Sequence, residues 1–326
     1  MAKLLSDMGD GIAALSSVSR RGDVPGSDTA GLTGRLALVN RVTRLVESRF
    51  GIYCSGQVIK KLNRIFEGVS EAELSAWVGH LQTLPDDHGE WLSLVESLTV
   101  HETYFGRDRP MLDMLQQTIL PAIVEQKRAE GDYRLRIWSA GCSTGEESFN
   151  LAMILLQVLY AMDEAVLTPR GDITPFLRWQ IEIMGTDISR QALATARTAQ
   201  YNDAGMGSFR DFSSRDIQRF FDQVSDVPDR MLGVSYYQTR PFVRRWVSFR
   251  QHNLLSGIPA MMSCDLVICR NVLIYFQDER KREVQQLFNG ALVEGGVLLL
   301  GGSDVLYWPE NYQRRFGDGG VWYIRK

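Results

Sequence analysis

The alternation of apolar and polar positions changes character twice along the chain. From residue 32 to 100 apolar side chains recur at helical spacing: Leu36, Val39, Val42, Val46 and Phe50 share a face ahead of Gly51, and Val58, Ile59, Leu62, Ile65 and Phe66 share another. Ser70 and Glu73 have capping-box spacing ahead of Leu74, Trp77, Val78 and Leu81. Trp91, Leu92, Val95 and Leu98 mark a fourth helix, so the pattern predicts a small all-helical domain over 32–100. Residues 1–31 are rich in Gly, Ser and Asp with few large apolar side chains after Leu15, which predicts a flexible tail. After the helices, SLTVHETYFGRDRP at 97–110 is too polar and too densely aromatic for an ordinary linker. Asp108 and Pro110 then start a helix through Met111, Leu112, Leu115 and Ile119 that ends near Gly131, and Pro121 is expected to kink or split it.

From residue 134 short apolar runs alternate with helical stretches. In RLRIWSAGCSTGEESFN (134–150), Ile137, Trp138 and Ala140 are strand-like, Gly141 and Gly145 bracket a turn of small residues, and Leu151, Ala152, Leu155, Leu156 and Leu159 continue as a helix. Ser143 and Glu146 have the spacing of a second capping box. The loop fits neither GxxxxGK[ST] nor GxGxxG, and its carboxylates suit a ligand carrying positive charge or hydroxyls. Taken alone, it also fits a plain strand-to-helix turn. QIEIMGTDIS at 180–189 is a second strand with Asp187 at its carboxyl end, where nucleotide-binding sheets hold ribose hydroxyls; an Asp capping the helix that starts at Ser189 fits as well. The stretch 162–178 is irregular, and 201–246 breaks the alternation with VSYYQTRPFVRRW, the pattern of a small β excursion. Strands follow at 247–254 and 264–276, the latter ending in polar Arg270 and Asn271. A helix over 278–292, a turn at Glu294-Gly295-Gly296, the strand VLLLGG and a last strand in GGVWYIRK complete the pattern. Strands alternating with helices predict a doubly wound α/β sheet whose ligand lies beyond the carboxyl ends, where Gly141, Asp187, Asn253 and Asn271 fall.

Composition narrows this. With 326 residues, 44% of them hydrophobic, the chain has enough apolar surface for two domains. It has neither an eighteen-residue apolar run nor the residue order of a signal peptide, which predicts a cytoplasmic protein without direct membrane insertion. Cys54, Cys142, Cys264 and Cys269 lack CxxC spacing and read as reduced core residues, and four histidines without HExxH spacing give no metal site. A net charge of −3 argues against wholesale nucleic-acid binding. Within the first two helices, however, Arg35, Arg41, Arg44, Arg49, Lys60, Lys61 and Arg64 face only Glu47 and Glu67, as either a solvated face or a docking face for an acidic partner.

Several of these segments together resemble the chemotaxis receptor methyltransferase (CheR) family. HETYFGR at 101–107 is similar to its N-E-T-x-F-F-R segment, WSAGCSTGEES to its W-S-A-G-C-S-T-G-E-E-P loop, and TDIS, HNL and CDLVICRNVLIYF to later blocks, so the resemblance spans 32–326. His101 replaces Asn, Ser148 replaces Pro, and Gly106 replaces the second Phe, the last expected to remove packing from its loop. The resemblance implies a Rossmann-like class I methyltransferase sheet over 101–326 with a β excursion within 201–246 and a helical N-terminal domain for receptor docking. It implies an enzyme that uses S-adenosylmethionine to methylate glutamate side chains of chemoreceptors, adjusting signalling adaptation and leaving S-adenosylhomocysteine. By motif, His101, Thr103 and Arg107 would contact the methionine portion, Arg107 suiting its carboxylate. Gly141 would belong to the cofactor loop, Glu146 would lie near the sulfonium or amino group, and Asp187 would accept both ribose hydroxyls. Asn253 and Leu254 would flank the adenine, with Asn271 and Val272 lining the passage to substrate. Arg107, Tyr275 and Arg270 are the candidates for orienting the reacting groups; an ionised glutamate, pKa ~4.3, needs no general base. The implied partner is the cytoplasmic domain of chemoreceptors, met through the basic face of residues 35–64 by a monomer recruited to membrane-bound receptor arrays. Two other classes share these features: a methyltransferase of the same fold acting on a small molecule or RNA, and a non-catalytic sensor that retains cofactor binding.

Overall fold

In the computed structural model, residues 29–100, 102–205, 207–225, 233–257 and 263–326 are described. The tail expected over 1–31 lies outside them as far as residue 28, and its last residues open the first helix, α1 (Thr29–Phe50). Contacts divide the chain into two units, one reaching Val100 and including Tyr275–Gln277, the other comprising His101–Ile274 and Asp278–Lys326.

In the first unit α1 is followed by α2 (Gly56–Ile65), α3 (Glu71–Thr83) and α4 (Gly89–Leu98). Val39, Val42, Val46 and Phe50 of α1 are buried, as are Leu62 and Phe66 at α2, whereas Leu36, expected on that face, is 57% exposed. The apolar faces meet through aromatic pairs, the rings of Phe50 and Trp91, and of Phe66 and Trp77, 5.5 Å apart. Ser70 and Glu73 form the capping box in both directions. Tyr275–Gln277 joins this unit by an antiparallel bridge between Ile52 and Phe276 and by Tyr53 N donating to the Tyr275 carbonyl at 2.6 Å. Three of the basic residues are structural: Arg35 donates to the Val69 and Phe66 carbonyls, Arg49 to those of Gln82 and Leu84, and Lys61 to that of Leu98. Burial pushes the Lys61 ammonium below its ordinary value. Arg41, Arg44, Lys60 and Arg64 are exposed.

In the second unit five parallel strands make up most of a seven-stranded sheet: β1 (Arg134–Ala140), β4 (Gln180–Asp187), β8 (Val247–Gln251), β9 (Cys264–Cys269) and β10 (Leu292–Leu300). The chain runs outward from β1 through β4 to β8, then crosses back to β9 and β10 on the other side of β1. That reversal beside β1 is the switch point of a doubly wound sheet, where the carboxyl ends of the strands leave a crevice. β11 (Tyr312–Gly317) and β12 (Gly320–Arg325) add an antiparallel hairpin at the β10 edge. Leu135, Ile137, Ile181, Ile183, Leu266, Ile268, Val297 and Leu299 bring the sheet into the main core, because strands covered on both faces take continuous apolar runs.

Several expectations need revising. Glu294-Gly295-Gly296 is not a turn but lies within β10, where the pairing with β9 shifts register between Leu292 and Val297. The third strand stops at Gln251 and the fourth at Cys269. Residues 162–178 hold a hairpin of β2 (Ala165–Leu167) and β3 (Ile173–Pro175), pinned by buried Glu164, which accepts from Trp179 Nε1 at 2.8 Å and pairs with Arg128 and Arg178. The segment is divided just before Pro121: a π-helical turn, Leu115–Ile119, precedes a further α-helix, Leu120–Glu130, so the missing amide falls in a first turn. The β excursion is a three-stranded antiparallel sheet of β5 (Gln200–Asn202), β7 (Tyr236–Thr239) and β6 (Phe221–Val224). All four cysteines are free and buried.

Candidate functional site

The end of β1 is tied to the end of β4 by backbone: Gly141 N and Cys142 N both donate to the Thr186 carbonyl, at 2.7 and 2.9 Å. Gly141 has φ +80°, and a Cβ there would lie 2.2 Å from Val272 Cγ2, so the missing side chain lets the loop after β9 close against the loop after β1. Ser143 is left-handed, φ +50°, and its N–H donates to Asp187 Oδ2 at 2.8 Å. The other carboxylate oxygen of Asp187 accepts from Ser189 N at 2.9 Å. Asp187 thus fastens the glycine loop to β4, while the cap of the following helix, Arg190–Thr198, is Ser189.

The capping box expected of Ser143 and Glu146 is not formed. The helix Glu146–Ala161 begins after Gly145, φ +95°, with no side-chain cap. Ser143 is turned toward Asp187, and Glu146 accepts instead from Thr144 Oγ1 at 2.6 Å and Ser208 Oγ at 2.7 Å. Glu146 is 1% exposed, and burial pushes its carboxyl up to about 7, the two hydroxyl bonds pulling the other way. Tyr201 Oη donates to the Thr144 carbonyl at 2.8 Å, and burial raises its phenol. The neighbouring Glu147 accepts from Ser139 Oγ of β1 at 2.8 Å and pairs with Arg270 at 3.2 Å. Arg270 also meets Asp108 at 3.2 Å and donates to the Arg107 carbonyl at 3.1 Å. Its guanidinium is thus held by two protein carboxylates.

The 102–107 segment is anchored by Phe105, fully buried against Tyr201 (4.9 Å), Phe209 (5.3 Å), Phe212 (5.4 Å) and Phe221 (5.0 Å between ring centres). Phe105 N also donates to the Ser208 carbonyl at 2.8 Å. Gly106 does not loosen this loop as expected. Its φ is +82° and a Cβ would stand 2.8 Å from the Asp211 carbonyl oxygen, so the backbones approach where Phe could not fit. Ser148, in place of proline, is fully buried against Gly185. Arg107 is half-buried, donates to the Glu102 carbonyl at 2.6 Å, and lies 5.7 Å from the Tyr104 ring; Thr103 is also half-buried.

Among the expected site residues, Gly141 thus meets Val272 and Arg107 meets Arg270, while Asp187 holds Ser143 and Glu146 holds Thr144 of the glycine loop. Asn253 and Leu254 follow His252, whose N–H donates to the Asp187 carbonyl at 3.0 Å; Leu254 is buried and Asn253 Oδ1 accepts from Leu255 N at 3.0 Å. Asn271 is left-handed, φ +58°, which turns the chain between Arg270 and Val272. Tyr275 is grouped by its contacts with the helical unit, its hydroxyl 3.4 Å from the Val100 carbonyl. His101 lies outside the described residues. Sequence reasoning missed Tyr201 and Ser208, distant in the chain from the loop they meet, and the separate task of Glu147, for which the doubled glutamate was the available signal.

Residues 101–318 match the family model described as CheR methyltransferase, SAM binding domain. The chain is 34% identical over 270 residues to chemotaxis protein methyltransferase 1 of Pseudomonas aeruginosa, covering 82% of this chain and 89% of that protein. It is 30% identical over 270 residues, with the same shares, to chemotaxis protein methyltransferase Cher2 of Pseudomonas putida. Over 223 residues it is 33% identical to the chemotaxis protein methyltransferase of Listeria monocytogenes, 68% of this chain and 71% of that one.

Proposed function

The chain belongs to the CheR methyltransferase family and is a methyltransferase that binds S-adenosylmethionine, and from that premise we propose that it converts glutamate side chains of chemoreceptor cytoplasmic domains to methyl esters. The residues of the crevice fit such a cofactor. Glu146 is a buried carboxylate that accepts from the hydroxyls of Thr144 and Ser208, a place suited to positive charge, and Gly141 lets Val272 close against the loop that would hold the cofactor. Bound there, S-adenosylmethionine supplies a methyl group already activated by its sulfonium.

The chain's own work is then positioning. Asp187 is the candidate for the ribose hydroxyls, Asn253 and Leu254 for the adenine, and Arg107 with Thr103 and His101 for the amino-acid end. Asn271 and Val272 are the candidates for the passage through which the acceptor carboxylate approaches. A glutamate acceptor, pKa ~4.3, arrives ionised, so no base has to remove a proton, and alignment alone is worth up to ~7–11 kcal/mol. The observation that carries this reading is the contact of the HETYFGR and GEES segments: Phe105 and Glu146 meet through the two oxygens of Ser208.

For the acceptor, the exposed Arg41, Arg44, Lys60 and Arg64 suit a helix rich in glutamate. No helix among the described residues is long and apolar enough to cross a membrane, so the reading brings a monomer to membrane-bound receptors by docking. The test is incubation of the protein with methyl-labelled cofactor and receptor cytoplasmic domains, followed by peptide mapping. Base-labile label on glutamates is expected; label on RNA or a small molecule but on no receptor glutamate refutes the substrate.

A further inference from the structure

Arg270 and Glu147 form an ion pair in a place where a surface bridge would gain nothing, with side chains only 6% and 12% exposed. Four pieces of chain meet there. Ser139 of β1 holds one oxygen of Glu147, and Arg270 at the end of β9 holds the other. The second guanidinium nitrogen of Arg270 reaches both the Asp108 carboxylate and the Arg107 carbonyl. A bridge that only stabilised the sheet would need one carboxylate; this one continues to the peptide unit between Arg107 and Asp108. Asp108 has φ +62°, a conformation costly to an L residue and held only where the surroundings fix it. The guanidinium is the group for this, because its planar fork donates in two directions at once where an ammonium is a point charge.

We propose that Arg270, gripped by Glu147 and Asp108, is a positioning residue that sets the backbone of Arg107 and so aims the Arg107 side chain at the carboxylate of the cofactor's methionine end. This rests on the cofactor reading above. Arg270 touches no reacting atom in this account; its effect passes through Arg107, and that makes the idea testable by non-additivity.

S-adenosylhomocysteine is titrated calorimetrically into the full chain and into Arg270→Gln, each with Arg107 intact and with Arg107→Ala. With Arg107 present, Arg270→Gln should weaken binding roughly tenfold, the scale of coupling between neighbouring residues. In the Arg107→Ala background the same change should cost less than about twofold, since nothing is left to aim. Arg270→Lys should fall between, keeping charge but losing the fork. Equal losses in both backgrounds, or no loss in either, would overturn the proposal, because a merely structural pair acts whether or not Arg107 is there. If Arg270→Gln fails to fold, Glu147→Gln is compared in the same two backgrounds and decides by the same criterion. A parent protein that binds no S-adenosylhomocysteine would sink the cofactor reading and this proposal with it, an outcome distinct from binding with additive losses.

Discussion

Replacing Asp187 by alanine should damage the fold and the cofactor site together, and the structure sets the size of each effect. The carboxylate accepts two backbone N–H groups, Ser143 at 2.8 Å and Ser189 at 2.9 Å, and the residue is 8% exposed. Alanine leaves both amides without that acceptor, at ~1–3 kcal/mol each, or ~2–6 kcal/mol together. At ~2–4 °C per kcal/mol for a unit of roughly 150–250 residues, the melting temperature should fall by at least about 4 °C. If the ribose hydroxyls also lose their partner, S-adenosylhomocysteine binding weakens by a further ~1–3 kcal/mol, about 5- to 150-fold in Kd. Asp187→Asn keeps one carbonyl acceptor and should fall between parent and alanine in melting temperature. Thermal melts and calorimetry below the variant's transition separate the two effects. A lower melting temperature with unchanged Kd assigns Asp187 to the loop alone; an unchanged melt with unchanged Kd refutes the reasoning altogether.

Burial raises the Glu146 carboxyl from 4.5 to about 7, so between those values the fold binds a proton that the unfolded chain does not, and stability falls as pH rises. Melts of Glu146→Gln should therefore match the parent near pH ~4.5 and pull ahead of it as pH rises, the gap levelling off above pH ~7, and a pH-independent difference refutes the assignment. Arg44→Glu, Lys60→Glu and Arg64→Glu combined should lower receptor methylation most at low ionic strength, since exposed charges are worth only ~0.2–1 kcal/mol singly, while S-adenosylhomocysteine affinity stays put. Normal methylation at low salt would leave that face merely solvated. Gly106→Phe, which installs the family's residue, should destabilise by ~1–3 kcal/mol or more from the left-handed φ and the Asp211 contact, and an unchanged melting temperature counts against the close approach.

The strand–loop–helix at 134–161 was legible because its signal is local: an apolar run, two glycines and a helical repeat lie within one stretch. The joint motifs likewise carried the family. What local spacing could not carry was which donor satisfies which acceptor. Ser143 and Glu146 have the spacing of a capping box, yet tertiary partners, Asp187 for one and Ser208 for the other, outbid the local bond. The β11 strand escaped notice because Tyr312–Gly317 buries only Tyr312 and so lacks the alternation that marks a half-buried strand. Glu164 and Glu147 look like surface acids in sequence; only the fold gives the first its Trp179 and arginine partners and the second its Ser139 and Arg270.

The four buried cysteines supply a clock. Burial pushes the thiols of Cys54 and Cys264 up to about 12 and raises those of Cys142 and Cys269 as well, so almost no thiolate exists in the folded chain at neutral pH. Alkylating reagents and mild oxidants attack the thiolate, and they must wait for the chain to open. Because Cys54 belongs to the helical unit and the other three to the sheet unit, the rate at which each is alkylated reads the opening of its own unit, with no engineered probe.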